Sequence, residues 1–194
     1  LLVDVLISVM QQQKQLALMA SGELLLKDFE TKLTHARLLE LLHYNPATGL
    51  WYWLITNSIR KPAGSLAGEI RQSGYVLIGI DGHRYRAHRL AWFYMHGEWP
   101  PRQVDHENNQ RADNRWHNLR LATNQQNQMN QTISRNNTSG YKGVTWSRQR
   151  QKWQAKLNLG DKQIHGGFFA DKENAAMAYL ALARKHFGSF AREI

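Results

Sequence analysis

Residues 104–130 read VDHENNQRADNRWHNLRLATNQQNQMN, and their spacing decides the fold of this chain. Val104-Asp105-His106 follows the Pro100-Pro101 break and reads as a strand, with the polar stretch Glu107 to Asn114 behind it. Asn118 stands twelve residues after His106, and Asn127 nine further on. A hairpin followed by a helix sets Asp105 and Asn127 across from each other, as two oxygen ligands for one divalent cation. His106, the neighbour of Asp105 on a strand, then points to the opposite side and faces a water. A base for water and a cation for the leaving oxygen are the two requirements of phosphodiester hydrolysis.

Charge supports a polyanionic partner. The 194 residues carry 25 Lys+Arg against 15 Asp+Glu, a net charge of +10, and basic side chains displace the counterions condensed on nucleic acid. Residues 1–40 are close to neutral, whereas residues 41–135 carry eleven bases against six acids and residues 136–194 ten against four. The chain has no cysteine. That excludes a disulfide scaffold, a thiolate zinc finger, an iron–sulfur site and a cysteine nucleophile. The apolar stretch Leu1 to Met10 holds Asp4 and is too short to span a bilayer, so the expectation is a cytoplasmic protein without a membrane partner.

Outward from the central stretch, turn chemistry divides the chain. Residues 1–32 read as an N-terminal extension, partly disordered, with Met10 and Met19 both possible starts. Helical periodicity from Leu24 to Leu42 predicts one amphipathic helix with Leu38, Leu39, Leu41 and Leu42 inward. Asn45 to Gly49 breaks it, and Leu50 to Leu54 is strand-like. Gly74 to Ile80 runs into Asp81-Gly82, a two-residue hairpin signal, and returns through Tyr85. His88 to Met95 is helical and stops at Gly97. Residues 131–138, rich in Asn, Gln, Ser and Thr, read as a linker. Beyond it, Tyr141 to Phe169 alternates in short strands, and Asp171 caps a helix to Phe187 that packs through Ala175, Ala176, Ala178, Tyr179, Leu182 and Ala183. The predicted class is α+β: residues 33–130, then a three-stranded sheet plus helix over 139–194.

Val104-Asp105-His106, Asp113-Asn114-Arg115, Asn118-Leu119-Arg120 and the Asn127/Asn130 pair resemble the HNH endonuclease motif of the ββα-metal type, found in phage and intron homing enzymes. Ala87-His88-Arg89-Leu90-Ala91-Trp92 and Gly97-Glu98-Trp99-Pro100 resemble that subgroup as well. The resemblance implies Asp105 and Asn127 as metal ligands and His106 as general base. It makes Asn118 the asparagine that bonds across the hairpin loop and holds His106. Asn127 replaces the histidine of the third motif letter, which favours a hard cation, Mg²⁺ or Mn²⁺. Asn130, one turn along, is an alternative ligand. His88 reads as a helix-start histidine or, with Arg89, as a DNA contact.

Ser139-Gly140-Tyr141-Lys142-Gly143-Val144, Lys152-Trp153-Gln154-Ala155, His165-Gly166-Gly167-Phe168-Phe169 and Glu173 to Tyr179 resemble an AP2/ERF domain. Such a domain lays its sheet in the major groove. The matching DNA-contacting positions are Lys142, Arg148, Arg150, Lys156, Asn158 and His165. Thr145 and Gln163 stand where plant members carry arginine, so a plant-type target sequence does not follow. Trp153 reads as packing against the helix.

Together these readings predict a monomeric, metal-dependent endonuclease of double-stranded DNA, at work in a bacterial host or phage-infected cell. The competing readings are a non-enzymatic DNA-binding regulator on a vestigial HNH scaffold and an RNA-directed binder or nuclease.

Overall fold

The computed structural model of the chain describes residues 32–192 apart from 57, 60 and 135. The expected N-terminal extension, residues 1–32, lies outside the described residues except for its last position. Among the described residues the architecture is mixed α/β, with four α-helices and small antiparallel sheets. No helix there is long and apolar enough to cross a membrane. The chain divides into two compact units after Trp99, whereas the sequence reading put its boundary at 131–138.

The first unit opens with α1 (His35–Leu41), which Thr34 starts: its backbone is extended and its hydroxyl accepts the Arg37 N–H at 3.2 Å. Among the described residues the helix expected over Leu24 to Leu42 covers only His35–Leu41, residues 24–31 lying outside them, and Leu42 already belongs to β1 (Leu42–Asn45). Leu38 and Leu41 face inward, but Leu39 is 41% exposed. Strand alternation has taken over from helical period here, with Leu42 and Tyr44 buried and His43 exposed. Asn45 turns the chain into β2 (Leu50–Trp53) by accepting the N–H groups of Ala47 and Thr48 on its side-chain oxygen.

A second sheet joins β3 (Glu69–Ile70), β4 (Val76–Ile80) and β5 (His83–Arg86) in that order. Asp81 (φ 45°) and Gly82 (φ 79°) both take the left-handed conformation that a tight hairpin requires. Helix α2 (Ala87–His96) follows and ends at Gly97 (φ 75°), whose N–H reaches back to the Phe93 carbonyl. Aromatic rings fill this core: Trp51 against Tyr44 and Tyr94, and Phe93 stacked on Trp99 at 4.3 Å.

In the second unit β6 (Gln103–His106) pairs antiparallel with β7 (Leu119–Ala122), and α3 (Asn124–Asn130) follows at once. Thr123 and Gln126 form a reciprocal capping box that fixes where α3 begins. A three-stranded sheet then runs β10 (Lys162–Phe169), β9 (Lys152–Leu159), β8 (Val144–Ser147). Val144, Ala155 and Leu157 on its inner face meet Ala175, Tyr179, Ala183 and Phe187 of α4 (Lys172–Phe187). Those four recur every fourth residue, one face of a helix, and the alanines let it lie close to the sheet. Asp171 precedes α4 as expected, though its carboxylate accepts from the Asn174 side chain and caps no backbone N–H.

The 131–138 stretch is spanned by direct bonds. Lys142 Nζ donates to the carbonyls of Gln128, Met129 and Gln131, and Tyr179 Oη donates to Met129 Sδ. Ser139 is buried and bonded to Asn137 and Tyr141. These bonds are the physical reason that the hairpin and the C-terminal sheet fall in one unit.

Gly143 is the tightest point of this unit. Its φ is +68°, and an added Cβ would sit 2.1 Å from the Tyr179 ring and 2.8 Å from the Lys156 carbonyl. Gly143→Ala is expected to cost about 2–4 kcal/mol, from left-handed strain plus overpacking. Gly140→Ala, at φ +78° with nothing within 4 Å, should cost about 1 kcal/mol. Urea denaturation of the two variants measures the difference.

Candidate active site

The register of β6 and β7 sets Asp105 opposite Arg120 and His106 opposite Leu119. Asp105 is 6% exposed, and two donors meet on its Oδ2: Arg120 Nε at 3.2 Å and Asn130 Nδ2 at 2.9 Å. Burial pushes the Asp105 carboxyl above its usual range, with Arg120 pulling the other way. Arg120 is itself held on three sides. Its guanidinium lies 3.7 Å over the Phe190 ring, Nη1 donates to the Ser189 carbonyl at 3.3 Å, and Glu107 stands at 3.7 Å.

His106 is 4% exposed. Burial is the main force that lowers its pKa and keeps the ring neutral, against the contrary pull of Asn114 and Asp105. Its Nε2 lies 3.2 Å from Asn114 Oδ1, and the Asn114 amide is oriented by donating from Nδ2 to the Ala112 carbonyl. A neutral imidazole that donates from Nε2 carries its lone pair on Nδ1, so Nδ1 is the basic atom.

Asn118 bonds across the hairpin loop. It accepts the Asn108 N–H at 3.0 Å and donates to Asn108 Oδ1 and to the Asp113 carbonyl at 2.8 Å. The direct hold on the His106 ring comes from Asn114. Asp113, bridged by Arg115 and bonded by Asn108, stays well below the usual carboxylate range and stiffens the same loop.

Helix α3 crosses the face of β6 that carries Gln103 and Asp105, two residues apart on the strand. Asn127 Nδ2 donates to Gln103 Oε1, and Asn130 meets Asp105 one turn later. The structure thus brings Asn130, not Asn127, against Asp105. Asn130 Nδ2 faces only acceptors, Asp105 Oδ2 and the His106 carbonyl at 2.8 Å, while Oδ1 accepts from Asn109. That polarity makes Asn130 a donor that orients the carboxylate. The carboxamide oxygen of Asn127 has no hydrogen bond among the described residues. A carboxylate and a carboxamide offer oxygens of the kind a hard cation takes. No group of three His, Cys, Asp or Glu side chains suited to a metal occurs among the described residues.

The expected DNA contacts scatter more widely. His88 and Arg89 belong to the first unit, where His88 is 3% exposed and packs against the Tyr75 ring. Lys142 is turned inward. Its ammonium caps the carboxyl end of α3, and burial lowers its pKa to about 8. Lys156, Asn158 and His165 share the sheet face that points away from α4, since Lys156 pairs with His165 and Asn158 with Gln163. Arg148 is exposed, and Arg150 lies over the Phe168 ring at 4.7 Å. Trp153 packs with the core beneath that sheet. Arg120 and Asn114 carry no weight in the sequence reading beyond their place in a motif, because their partners lie far along the chain or across a loop.

With this geometry in place, the comparison with known proteins is direct. A protein-family profile described as HNH endonuclease matches residues 85–129. Protein 3.8 of Escherichia phage T7 is 32% identical over 108 residues, which span 55% of this chain and 88% of that protein. The chain belongs to the family of Protein 3.8 and carries an HNH endonuclease domain at residues 85–129. No solved structure matches it.

Removing the Asn130 amide takes one donor from Asp105 and one from the His106 carbonyl, which keeps the Asn109 N–H at 2.9 Å. Asn130→Ala is expected to cost about 2–3 kcal/mol. Asn127→Ala, whose amide meets only an exposed Gln103 side chain, should cost less than about 1 kcal/mol. Urea denaturation without added metal separates the two.

Proposed function

We propose that the protein is a metal-dependent endonuclease that hydrolyses phosphodiester bonds of double-stranded DNA. The observation that carries this reading is a buried, neutral His106 beside a buried Asp105 within the HNH segment. His106 Nδ1 removes the proton from the attacking water. Asn114 holds the ring by accepting from Nε2, and Asn118 closes the loop that carries Asn114. Arg120 and Asn130 fix Asp105 Oδ2 and leave Oδ1 as the oxygen available to a cation. A divalent cation, Mg²⁺ or Mn²⁺, held by Asp105 and Asn127 would supply the positive charge that the leaving oxygen needs.

The chemistry belongs to residues 104–130. Targeting belongs to residues 139–194, read as an AP2/ERF-like sheet that meets DNA through Arg148, Arg150, Lys156, Asn158 and His165. Lys142 has left that set, since it is committed to α3. The resemblance of the Ala87 to Pro100 run supports a homing-type enzyme, and the phage relative a place in a bacterial host or phage-infected cell, where the protein works as a monomer in the cytoplasm.

The test is incubation of supercoiled plasmid with Mg²⁺ or Mn²⁺, with and without chelator. Nicked or linear product is expected only in the metal lanes. His106→Ala is expected to slow cleavage by about 10²–10⁴-fold, as loss of a general base does, and to leave duplex affinity nearly unchanged. Cleavage by that variant at the parental rate would sink the assignment. A parent protein that binds duplex and cuts nothing would favour the regulator.

A further inference from the structure

The solvent face of the first unit's sheet carries charge that the endonuclease reading does not use. Glu69 pairs with Leu77, Leu77 with Arg86, and Gly79 with Arg84, so these five positions share one face. Ile78, Ile80 and Tyr85 take the buried face. Lys61 comes in from the preceding loop, with Nζ donating to the Gly79 carbonyl at 3.2 Å and lying 4.9 Å from the Trp53 ring. Lys61, Glu69, Leu77, Gly79 and Arg84 are among the residues that line an open cleft of about 340 Å³ on this face.

In the cleft the bases Lys61 and Arg84 outnumber the one acid, Glu69. Arg84 and Arg86 are both exposed, and neither pairs with a carboxylate among the described residues. Arg86 is steadied by the Tyr75 ring at 4.9 Å. The acid on the face, Glu69, is already bridged to Arg71 at 3.2 Å. Two arginines at alternate positions of one strand stand roughly 6.5–7 Å apart, and each guanidinium presents a planar fork that matches phosphate oxygens. Gly79 adds no side chain between them and Lys61, so the approach is open.

We infer that this face grips the sugar-phosphate backbone of duplex DNA through Arg84, Arg86 and Lys61. It is a binding surface separate from the C-terminal sheet, and the first unit is then a DNA-binding element in its own right. The inference rests on the DNA reading above but not on cleavage, so binding is what tests it.

The full chain bearing His106→Ala is titrated into a short fluorescein-labelled duplex, by anisotropy at several KCl concentrations. Adding Arg84→Gln and Arg86→Gln should reduce the slope of log K against log salt by roughly 2, at about 0.9 for each phosphate no longer neutralised. Arg84→Lys with Arg86→Lys should keep most of the slope, since a point charge still displaces a counterion. Lys172→Gln with Lys185→Gln, both on α4 behind the C-terminal sheet, removes the same charge elsewhere and should leave the slope in place. A parental slope in the Arg84/Arg86 glutamine pair, with a parental melting temperature, overturns the proposal. So does an equal drop in the Lys172/Lys185 pair, or a drop seen with duplex RNA and not with DNA. If the double variant loses its melting transition, the single Arg84→Gln is read, with about half the slope change expected. A parent that binds no duplex overturns the DNA reading and this face together. A parent that binds with its slope untouched by the substitutions overturns this face alone.

Discussion

Asp105 is a carboxylate taken out of water, and the second unit is arranged around keeping it there. A buried acid stripped of its partner costs about 3–5 kcal/mol, so Arg120 and Asn130 are structural requirements before they are anything else. Each comes from a different direction. Arg120 arrives by the β6–β7 register, and Asn130 arrives only if α3 starts at Thr123. Phe190 and Ser189 close over the guanidinium from the far end of the chain. Strand pairing, a helix cap and a C-terminal turn all converge on one carboxylate oxygen.

The adjacent residue is treated in the opposite way. His106 meets a neutral amide at Nε2, and burial outweighs the pull of Asp105 and Asp113 on its ring. Two neighbours on one strand thereby acquire different electrostatic characters: an anion held by cation and amide, and a base held neutral. Strand geometry turns the two side chains to opposite sides, and the hairpin loop and α3 provide the two environments. The asparagines Asn108, Asn114 and Asn118 make that loop a hydrogen-bonded body in its own right.

Much of this was legible in the sequence because local chemistry spells it out. Asp81-Gly82 can hardly be read except as a hairpin, Gly97 stops α2, and the spacing from Asp105 to Asn127 yields strand, loop, strand and helix. The helix expected from Leu24 was less legible. Its leucines satisfy both a helical and an alternating pattern near residue 42, and the extended Thr34 is a tertiary choice. The amide pair was illegible for a different reason. Asn127 and Asn130 lie one turn apart on one helix face, and only the placement of Gln103 and Asp105 two apart on β6 sorts them. Lys142 misled because a lysine in a basic module reads as a phosphate contact, and nothing local reveals three carbonyls waiting at the end of α3.

The roof over Arg120 has a consequence in time as well as in space. Arg120 and Ser189 are separated by 69 residues, so the strand that bears Asp105 and His106 leaves the ribosome well before the turn that covers its partner. A nascent chain that has not yet reached Phe190 has an arginine without its aromatic lid. Before Lys142 emerges, α3 also has no cation at its carboxyl end. The hairpin is made early and finished late. The surroundings of Asp105 are therefore complete only when the second unit is complete.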